Sequence, residues 1–114
     1  MAETLSSQEA LKLWHQALLS SVRAEGPDLS ARQMALFLQV YLAPPPHTVR
    51  GLAATLQISK PAVVRALDTL GRLDFTLRRR DQSDKRNVLI QRTVKGSVFL
   101  SEFADWVVTA SDTL

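Results

Sequence analysis

The sequence contains no cysteine, which excludes disulfides, thiolate metal sites and thiol-based redox sensing and is typical of a protein from a reducing compartment. No stretch approaches the roughly 18 consecutive apolar residues of a transmembrane helix. The first residues, Met1 to Ser7, lack the basic start and the apolar run of a signal peptide. We therefore expect a cytoplasmic protein with no membrane partner.

Chemical machinery is also scarce. The sequence has no nucleophile–base constellation, no metal-spaced cluster and no glycine-rich phosphate loop among its four glycines. Its two histidines, His15 in an amphipathic stretch and His47 after a triple proline, are interpreted as structural or surface residues. The sequence thus predicts no enzyme, no catalytic residue, no cofactor and no metal, and it identifies no small-molecule effector.

What the sequence does have is an uneven distribution of charge. The 114 residues are 46% apolar and 22% charged, which predicts one ordinary globular domain over 1–114. Residues 48–96 contain eleven lysines and arginines against four acidic residues, whereas the rest of the chain contains three against seven. The basic segment 48–96 is predicted to bind a polyanion, although a basic solvated surface would give the same pattern.

The hydrophobic periodicity predicts a mainly α fold with a small β-hairpin. Two of the predicted helices begin in capping boxes, Ser6 with Glu9 and Ser30 with Gln33. Alternating apolar residues predict two strands after the fourth helix. The helices are predicted at about 8–24, 30–42, 49–56, 59–73 and 94–110, and the hairpin at about 75–92.

The most specific local pattern lies between Leu52 and Val63. It predicts two helices joined by a short turn, with the small Ala53 at their crossing and Ser59 as the N-cap of the second helix. The turn position that glycine often occupies holds Gln57, which would cost roughly 1 kcal/mol in a left-handed conformation. We interpret the segment as a helix-turn-helix; an ordinary helical hairpin in a bundle is the alternative.

The second helix of this pair is predicted to be a recognition helix, which presents its N-terminal residues to the major groove of DNA. Arg65 is suited to a bidentate contact with guanine, and Pro61 or an exposed Val64 to a thymine methyl group. The alternative for Val64 is a leftover core residue. These three residues are predicted to contact base edges.

Phosphate contacts are predicted on the same helix. Ser59 and Lys60 lie at its N-terminus, where the backbone N–H groups favour an anion. Arg72 lies on the exposed face further along and is also predicted to bind DNA. A surface ion pair between Arg72 and Asp68, four residues earlier, is the alternative.

The segment 78–92 carries six positive and two negative residues and is predicted to form a basic hairpin, a wing that rests on the helices. The tip of such a wing is expected in the adjacent minor groove, where narrow A·T tracts attract arginine. Asp84 is unusual in a loop that faces DNA, and we expect it to hold the loop in shape by binding an arginine or loop amides. The wing residues predicted to bind DNA are Arg78, Arg80, Lys85 and Arg86.

These motifs resemble the multiple-antibiotic-resistance regulator (MarR) family of winged helix-turn-helix transcription factors. The resemblance runs from about Leu29 to Glu102. Its strongest part is Asp-Gln-Ser-Asp-Lys-Arg at 81–86, followed by the short strand Val-Leu-Ile at 88–90 and by Thr-Val-Lys-Gly at 93–96. Residues 52–70 are similar to the recognition unit of the family, including the Ser-Lys-Pro helix start.

The resemblance implies roles for two wing residues and raises a question about a third. It implies that Arg86 is the minor-groove residue and that Asp84 is its orienting partner. Arg92 departs from the leucine that the family usually has before the threonine. We expect Arg92 either to weaken the packing of the wing or to add a phosphate contact.

The resemblance also implies a homodimer. Family members usually pair through their N- and C-terminal helices and have a further helix after the one that begins here near Thr93, for which the sequence ending at Leu114 leaves no room. The terminal helices could instead fill the core of the domain itself. A dimer would bind a palindrome with half-sites about one helical turn apart. The predicted dimerisation residues are Leu11, Trp14, Leu18, Phe103, Trp106 and Val107.

Two functional hypotheses follow. The first is a sequence-specific, double-stranded-DNA-binding transcriptional regulator, a repressor, with its recognition helix in the major groove and a wing arginine in the minor groove. The second is a winged-helix module for protein–protein interaction, or an accessory module, that binds DNA weakly. Selection of bound DNA from a random pool separates the two.

Overall fold

The structure is a computed structural model that describes residues 4–114. Residues 1–3, which the predicted domain over 1–114 includes, lie outside the described residues. The predicted fold class, mainly α with a small β-hairpin, is confirmed. The elements are α1 (Ser7–Arg23), α2 (Ala31–Leu42), α3 (Val49–Leu56), α4 (Lys60–Arg72), β1 (Thr76–Arg80), β2 (Val88–Arg92) and α5 (Val94–Asp112).

By its internal contacts the chain divides into two compact units. Among the described residues, 4–28 and 99–114 form one, here called the terminal unit, and residues 29–98 form the other, the central unit. Helix α5 begins in the central unit and ends in the terminal unit. A single domain over 1–114 stays a prediction.

Short-range hydrogen bonds fix where the helices begin. Both predicted capping boxes, Ser6 with Glu9 and Ser30 with Gln33, are present. In each box the serine hydroxyl accepts the backbone N–H of the third helical residue, and the side chain of that residue accepts the backbone N–H of the serine. The hydrogen bonds from Ser6 also lower the pKa of Glu9. The hydroxyl residues that accept a first-turn N–H are Ser6, Ser30, Thr48, Ser59 and Thr93.

The core of the central unit lies between α2, α3, α4 and the hairpin. Phe37 is fully buried, stacks on Phe75 with 5.2 Å between ring centroids, and meets Tyr41 edge-on at 5.0 Å. Because one core is shared by all four elements, the position of α4 relative to the hairpin is fixed by packing. The other large, fully buried side chains are Leu36, Val40, Leu52, Val63, Leu67, Leu70 and Ile90.

The hairpin is attached to the segment that precedes α3. Strands β1 and β2 pair antiparallel, and an isolated two-stranded ribbon is only marginally stable. Here the N–H of Ile90 donates to the His47 carbonyl at 2.9 Å, and Thr48 forms an isolated bridge with Leu89. His47 is buried, with its Nε2 3.2 Å from the Ala43 carbonyl oxygen. The hairpin is therefore held beside the start of α3.

A second junction attaches α5 and explains the Thr-Val-Lys-Gly motif. The Thr93 hydroxyl donates to the Asp74 carbonyl at 2.7 Å and accepts the Gly96 N–H at 2.9 Å. The Tyr41 hydroxyl accepts the Thr93 N–H at 2.9 Å and lies within hydrogen-bonding distance of the carbonyls of Thr93 (2.8 Å) and Phe75 (3.0 Å). A Cβ on Gly96 would lie 2.1 Å from the Tyr41 hydroxyl oxygen. Only glycine leaves room for this contact.

Candidate nucleic-acid interface

The turn between α3 and α4 has the predicted helix-turn-helix form. Gln57 is left-handed, with φ 56° and ψ 45°, at the position where glycine is usual. The N–H of Ile58 donates to the Ala53 carbonyl at 3.2 Å, and the Ser59 hydroxyl accepts the Ala62 N–H at 3.2 Å. The first bond closes the end of α3 and the second begins α4.

Helix α4 has one buried face and one exposed face. The exposed face begins with Lys60 and Pro61 in the first turn and continues through Val64 and Arg65. Val64 is 38% exposed, so the alternative that it is a core residue is wrong. The buried residues are Ala62, Val63, Ala66, Leu67 and Leu70.

Arg78 on β1 lies against α4. Its guanidinium forms an ion pair with Asp68 and also donates to the Val64 carbonyl at 3.3 Å. Arg72 donates instead to the Thr69 hydroxyl at 3.3 Å. The alternative of an ion pair between Asp68 and Arg72 is therefore wrong, since the carboxylate of Asp68 pairs with a strand residue, Arg78. Arg78 braces the hairpin against α4, and its part in DNA binding stays a prediction.

At the tip of the wing, Asp84 contacts Arg86. The Asp84 Oδ1 accepts both the backbone N–H and the Nε–H of Arg86, each at 3.1 Å. The N–H of Asn87 donates to the Asp84 carbonyl at 3.0 Å. The side chain of Arg86 remains 90% exposed, and Lys85 beside it is exposed as well. Asp84 thus shapes the backbone of the tip while the guanidinium stays accessible.

The other side of the same loop is closed by Asp81. Its Oδ1 accepts the hydroxyl of Ser83 at 2.7 Å and the N–H of Ser83 at 2.9 Å, and these bonds lower the pKa of Asp81. The N–H of Asp81 donates to the Asn87 carbonyl at 3.1 Å. The loop therefore has internal structure on both sides of its basic tip, with Arg80 exposed at the end of β1.

Arg92 attaches the base of the wing to the end of α2. Its Nε donates to the Val40 carbonyl at 3.0 Å, its Nη2 donates to the Ala43 carbonyl at 3.1 Å, and its guanidinium carbon lies 5.8 Å from the centre of the Tyr41 ring. Helix α2 has no basic residue in its own last turn, so Arg92 supplies the positive charge that a helix C-terminus favours. The expectation that Arg92 weakens the packing of the wing is wrong.

A basic cleft of about 280 Å³ lies where α3, α4 and the wing meet. Lys60 and Arg86, both predicted to bind DNA, line this cleft together with Arg50 of α3. Sequence reasoning missed Arg50. The available signal was its place in the first turn of α3, after the Thr48 cap, where an acidic residue is the usual choice.

The terminal unit divides the predicted dimerisation residues into two groups. Leu11, Trp14 and Leu18 are 70%, 52% and 41% exposed. Phe103 is buried, with its ring 6.4 Å from Trp14 and 5.7 Å from Trp106, so it serves the unit's own core, and Trp106 and Val107 are half-buried. For the three exposed residues a role in dimerisation stays a prediction, whereas Phe103 packs against Trp14 inside the unit.

Two further properties of the described residues bear on function. Within 4–114, no group of histidine, aspartate and glutamate side chains lies together in a way that could hold a metal ion. No helix in the same range has the length and apolar character needed to cross a bilayer.

Comparison with known proteins relates this geometry to one family. A sequence profile described as the MarR family matches residues 28–88, which include α2, α3, α4 and β1. No curated protein sequence matches the chain.

Solved structures share the fold over nearly the whole chain. The MepR–DNA complex of Staphylococcus aureus is 23% identical, with 94% of this chain and 82% of that chain covered and a TM-score of 0.74. The transcriptional repressor CouR, bound to a 23-mer DNA duplex, is 25% identical, with coverage of 93% and 72% and a TM-score of 0.72. A mutant of Escherichia coli MarR complexed with operator DNA is 23% identical, with coverage of 88% and 66% and a TM-score of 0.68. These likenesses confirm the predicted winged helix-turn-helix fold.

Proposed function

The chain belongs to the MarR family of DNA-binding transcriptional regulators, and we propose that it is a sequence-specific repressor that binds double-stranded DNA as a homodimer. One observation carries the proposal: the exposed face of α4 lies beside a wing that contacts α4 through Arg78 and is anchored to the end of α2 and to the N-cap of α3. The DNA complexes of MepR, CouR and MarR support it. A regulator of chromosomal DNA acts where the chromosome lies, and we therefore propose the cytoplasm as its location.

In this proposal α4 enters the major groove with its first turns. Arg65 donates two hydrogen bonds to guanine O6 and N7, while Pro61 and Val64 pack on thymine methyl groups. The exposure of all three side chains supports this assignment. Ser59 and Lys60, at the helix N-terminus, bind phosphate and fix the register of the helix on the duplex. Arg72 and Arg80 are proposed as further phosphate contacts.

The wing enters the minor groove in the same proposal. Arg86 is the residue that inserts its guanidinium into the groove. Its side chain is 90% exposed and its backbone is held by Asp84, and both properties support this assignment. Lys85 contributes charge beside it. Arg78 acts mainly through position, since its ion pair with Asp68 fixes the hairpin against the recognition helix.

A second copy of the chain is the proposed occupant of the apolar face of α1. Leu11, Trp14, Leu18 and Val22 recur at spacings of three and four residues, and each is at least 41% exposed. Burying a side chain of this size contributes about 1.5–3 kcal/mol, so a solvent-exposed stripe of four marks an interaction surface. A palindromic operator with half-sites about one helical turn apart would match the symmetry of such a dimer.

Selection of bound duplexes from a random pool tests the function directly. We expect a palindromic motif, with an affinity that falls steeply as salt rises. Arg65→Ala should remove about 1–3 kcal/mol of discrimination at one base pair of each half-site. The matched control Arg23→Ala removes the same charge from the terminal unit and should keep the sequence preference.

Two outcomes would contradict the proposal. Equal affinity for every sequence would refute sequence-specific recognition. The failure of any duplex to bind would leave the protein-interaction module as the better hypothesis.

The dimer is tested separately by sedimentation velocity. We expect Trp14→Glu to shift the chain toward the monomer, because it places a charge in the centre of the apolar stripe. Gln16→Glu adds the same charge at an exposed position on another side of α1 and should leave the dimer intact. Equal behaviour of the two variants would refute this interface.

A further inference from the structure

Two basic clefts lie beside α4, and each receives cations from separate elements. The first is the cleft of about 280 Å³ lined by Arg50, Lys60 and Arg86. The second, of about 230 Å³, is lined by Arg32 of α2 together with Arg65 and Thr69 of α4. Arg32 and Arg50 are exposed, and neither belongs to the DNA-binding residues predicted from the sequence.

The two clefts lie on opposite flanks of the exposed face of α4. Lys60 lines the first cleft and Thr69 lines the second, and these residues are nine positions apart. At about 100° per residue, nine positions correspond to two and a half turns, so the two residues lie on opposite sides of the helix. Pro61, whose side chain is exposed, lies between these two directions. The clefts therefore border the face that is proposed to enter the major groove.

Two of the cations in these clefts, Arg32 and Arg50, have no acidic partner among residues 4–114, whereas Arg86 pairs with Asp84. Arg32 and Arg50 both lie in the first turn of a helix, as Lys60 does, where a positive side chain opposes the helix dipole. Helix α1 follows the opposite, favourable rule, with Glu9 in its first turn. Departures from a local rule without an internal compensation are expected at functional sites.

A B-DNA major groove is bordered by the phosphate backbones of both strands and is about 12 Å wide, which is close to the diameter of a helix with its side chains. Groups on the two flanks of an inserted helix therefore face different strands. We propose that Arg32 and Arg50 bind backbone phosphates of the two opposite strands that border the groove occupied by α4. This inference rests on the proposed function and names the part of the DNA that each flank contacts.

Salt titrations test the charge contacts. Each phosphate contact contributes about 0.9 to the slope of log K against log salt. Between 0.15 M and about 1 M salt, this slope corresponds to about a fivefold change in affinity. Arg32→Ala and Arg50→Ala should each reduce the slope by about 0.9 per bound protomer, on the selected duplex and on a random-sequence duplex alike. Arg32→Lys and Arg50→Lys should keep the slope. Arg23→Ala, which removes a charge that lines neither cleft, should keep it as well.

Interference mapping tests the assignment to strands. Single phosphates of the selected duplex are replaced by uncharged methylphosphonates, one position at a time on each strand. We expect the wild-type chain to lose affinity at phosphates on both edges of the groove. Arg50→Ala should abolish the sensitivity at the phosphate that Arg50 contacts on one strand, and Arg32→Ala should abolish it at the phosphate that Arg32 contacts on the other strand.

The outcomes separate this inference from the proposed function. If the wild-type chain binds duplex DNA and both alanine variants keep its salt slope, the phosphate contacts are refuted while the proposed function stands. If both variants lose sensitivity at phosphates of the same strand, the opposed arrangement is refuted. If the wild-type chain binds no duplex, the proposed function fails and the inference fails with it. Circular-dichroism melting of each variant shows that a changed slope does not come from unfolding.

Discussion

The close contact between Gly96 and Tyr41 makes Gly96→Ala a demanding test of the central unit. A Cβ at this position would lie 2.1 Å from the Tyr41 hydroxyl oxygen and 2.4 Å from the Phe75 carbonyl oxygen, whereas an ordinary contact begins at 3.4 Å. The carbonyl belongs to the backbone, and the tyrosine ring is packed edge-on against Phe37. Neither neighbour can retreat by an ångström without disturbing the core.

The expected loss of stability is the sum of the cost of overpacking and the cost of the lost hydrogen bonds. Overpacking of a filled core typically costs about 1–3 kcal/mol. A displaced Tyr41 hydroxyl also loses the hydrogen bond that it accepts from Thr93 and the one that it donates, at about 1 kcal/mol each. We expect Gly96→Ala to lower the free energy of unfolding by about 4 kcal/mol, a large part of the 5–15 kcal/mol that is typical of a whole domain. The corresponding fall in Tm is about 10 °C or more.

Chemical denaturation monitored by circular dichroism, at one fixed protein concentration, measures this difference. The matched control is Gly71→Ala in α4, where an added Cβ would have no neighbour within 4 Å. The same substitution should there stabilise the protein by about 0.5–1 kcal/mol, because alanine is the better helix former. A cost below about 1 kcal/mol at Gly96 would refute the close-contact argument, since typical overpacking alone exceeds it.

A double-mutant cycle identifies the hydroxyl as the obstacle. Tyr41→Phe removes the hydroxyl and its hydrogen bonds, at a cost of about 1–2 kcal/mol. In that background the hydroxyl no longer obstructs the added Cβ, although the Phe75 carbonyl must still move and the ring carbon Cζ at position 41 still lies 3.0 Å away. Its cost should therefore be smaller by at least about 1 kcal/mol than in the wild-type chain. Simple additivity of the two substitutions would show that the Tyr41 hydroxyl is not the obstacle.

Three further substitutions test local features. Gln57→Gly should stabilise the protein by up to about 1 kcal/mol in denaturation experiments, because glycine adopts φ 56° without strain; destabilisation would mean that the glutamine side chain is needed. Arg92→Ala should cost about 1–2 kcal/mol through its lost hydrogen bonds at the end of α2, whereas the control Arg80→Ala at the exposed end of β1 should change stability by less than about 0.5 kcal/mol. Ser83→Ala should raise the pKa of Asp81 toward its usual value in an NMR titration, since hydrogen bonds from Ser83 favour the carboxylate. Because the pKa of Asp81 is lower in the folded than in the unfolded state, the contribution of this turn to stability is present above the unfolded pKa and is lost as the pH falls through the folded pKa.

The parts of the fold that the sequence predicts are those set by nearby residues. Each helix is preceded by a serine or threonine whose hydroxyl accepts the backbone N–H of the residue three positions later. A few adjacent residues are therefore enough to locate the start of each helix. The turn at Gln57 and the contact between Asp84 and Arg86 are local in the same sense. Helix α5, whose end near 110 was predicted without a capping signal, continues to Asp112.

The parts that sequence reasoning missed depend on elements that are distant along the chain. Asp68 has Arg72 one helical turn away, yet it pairs with Arg78, which β1 brings across α4. The partners of Arg92 are carbonyls of α2, about fifty positions earlier. Nothing in the local pattern of either arginine identifies these partners, because core packing decides which strand lies over which helix.

This difference changes what the positive charge of the central unit means. The segment 48–96 was singled out for its eleven cations, but Arg78 and Arg92 direct their guanidinium groups to partners inside the protein. Arg32, by contrast, lies outside that segment and lines a cleft beside α4. A count of charge along the chain therefore includes side chains that brace the wing and omits one that faces the proposed groove. The dependence of DNA affinity on salt should follow the cations that reach phosphates, among them those that line the two clefts and the wing tip, and not the total charge of the segment.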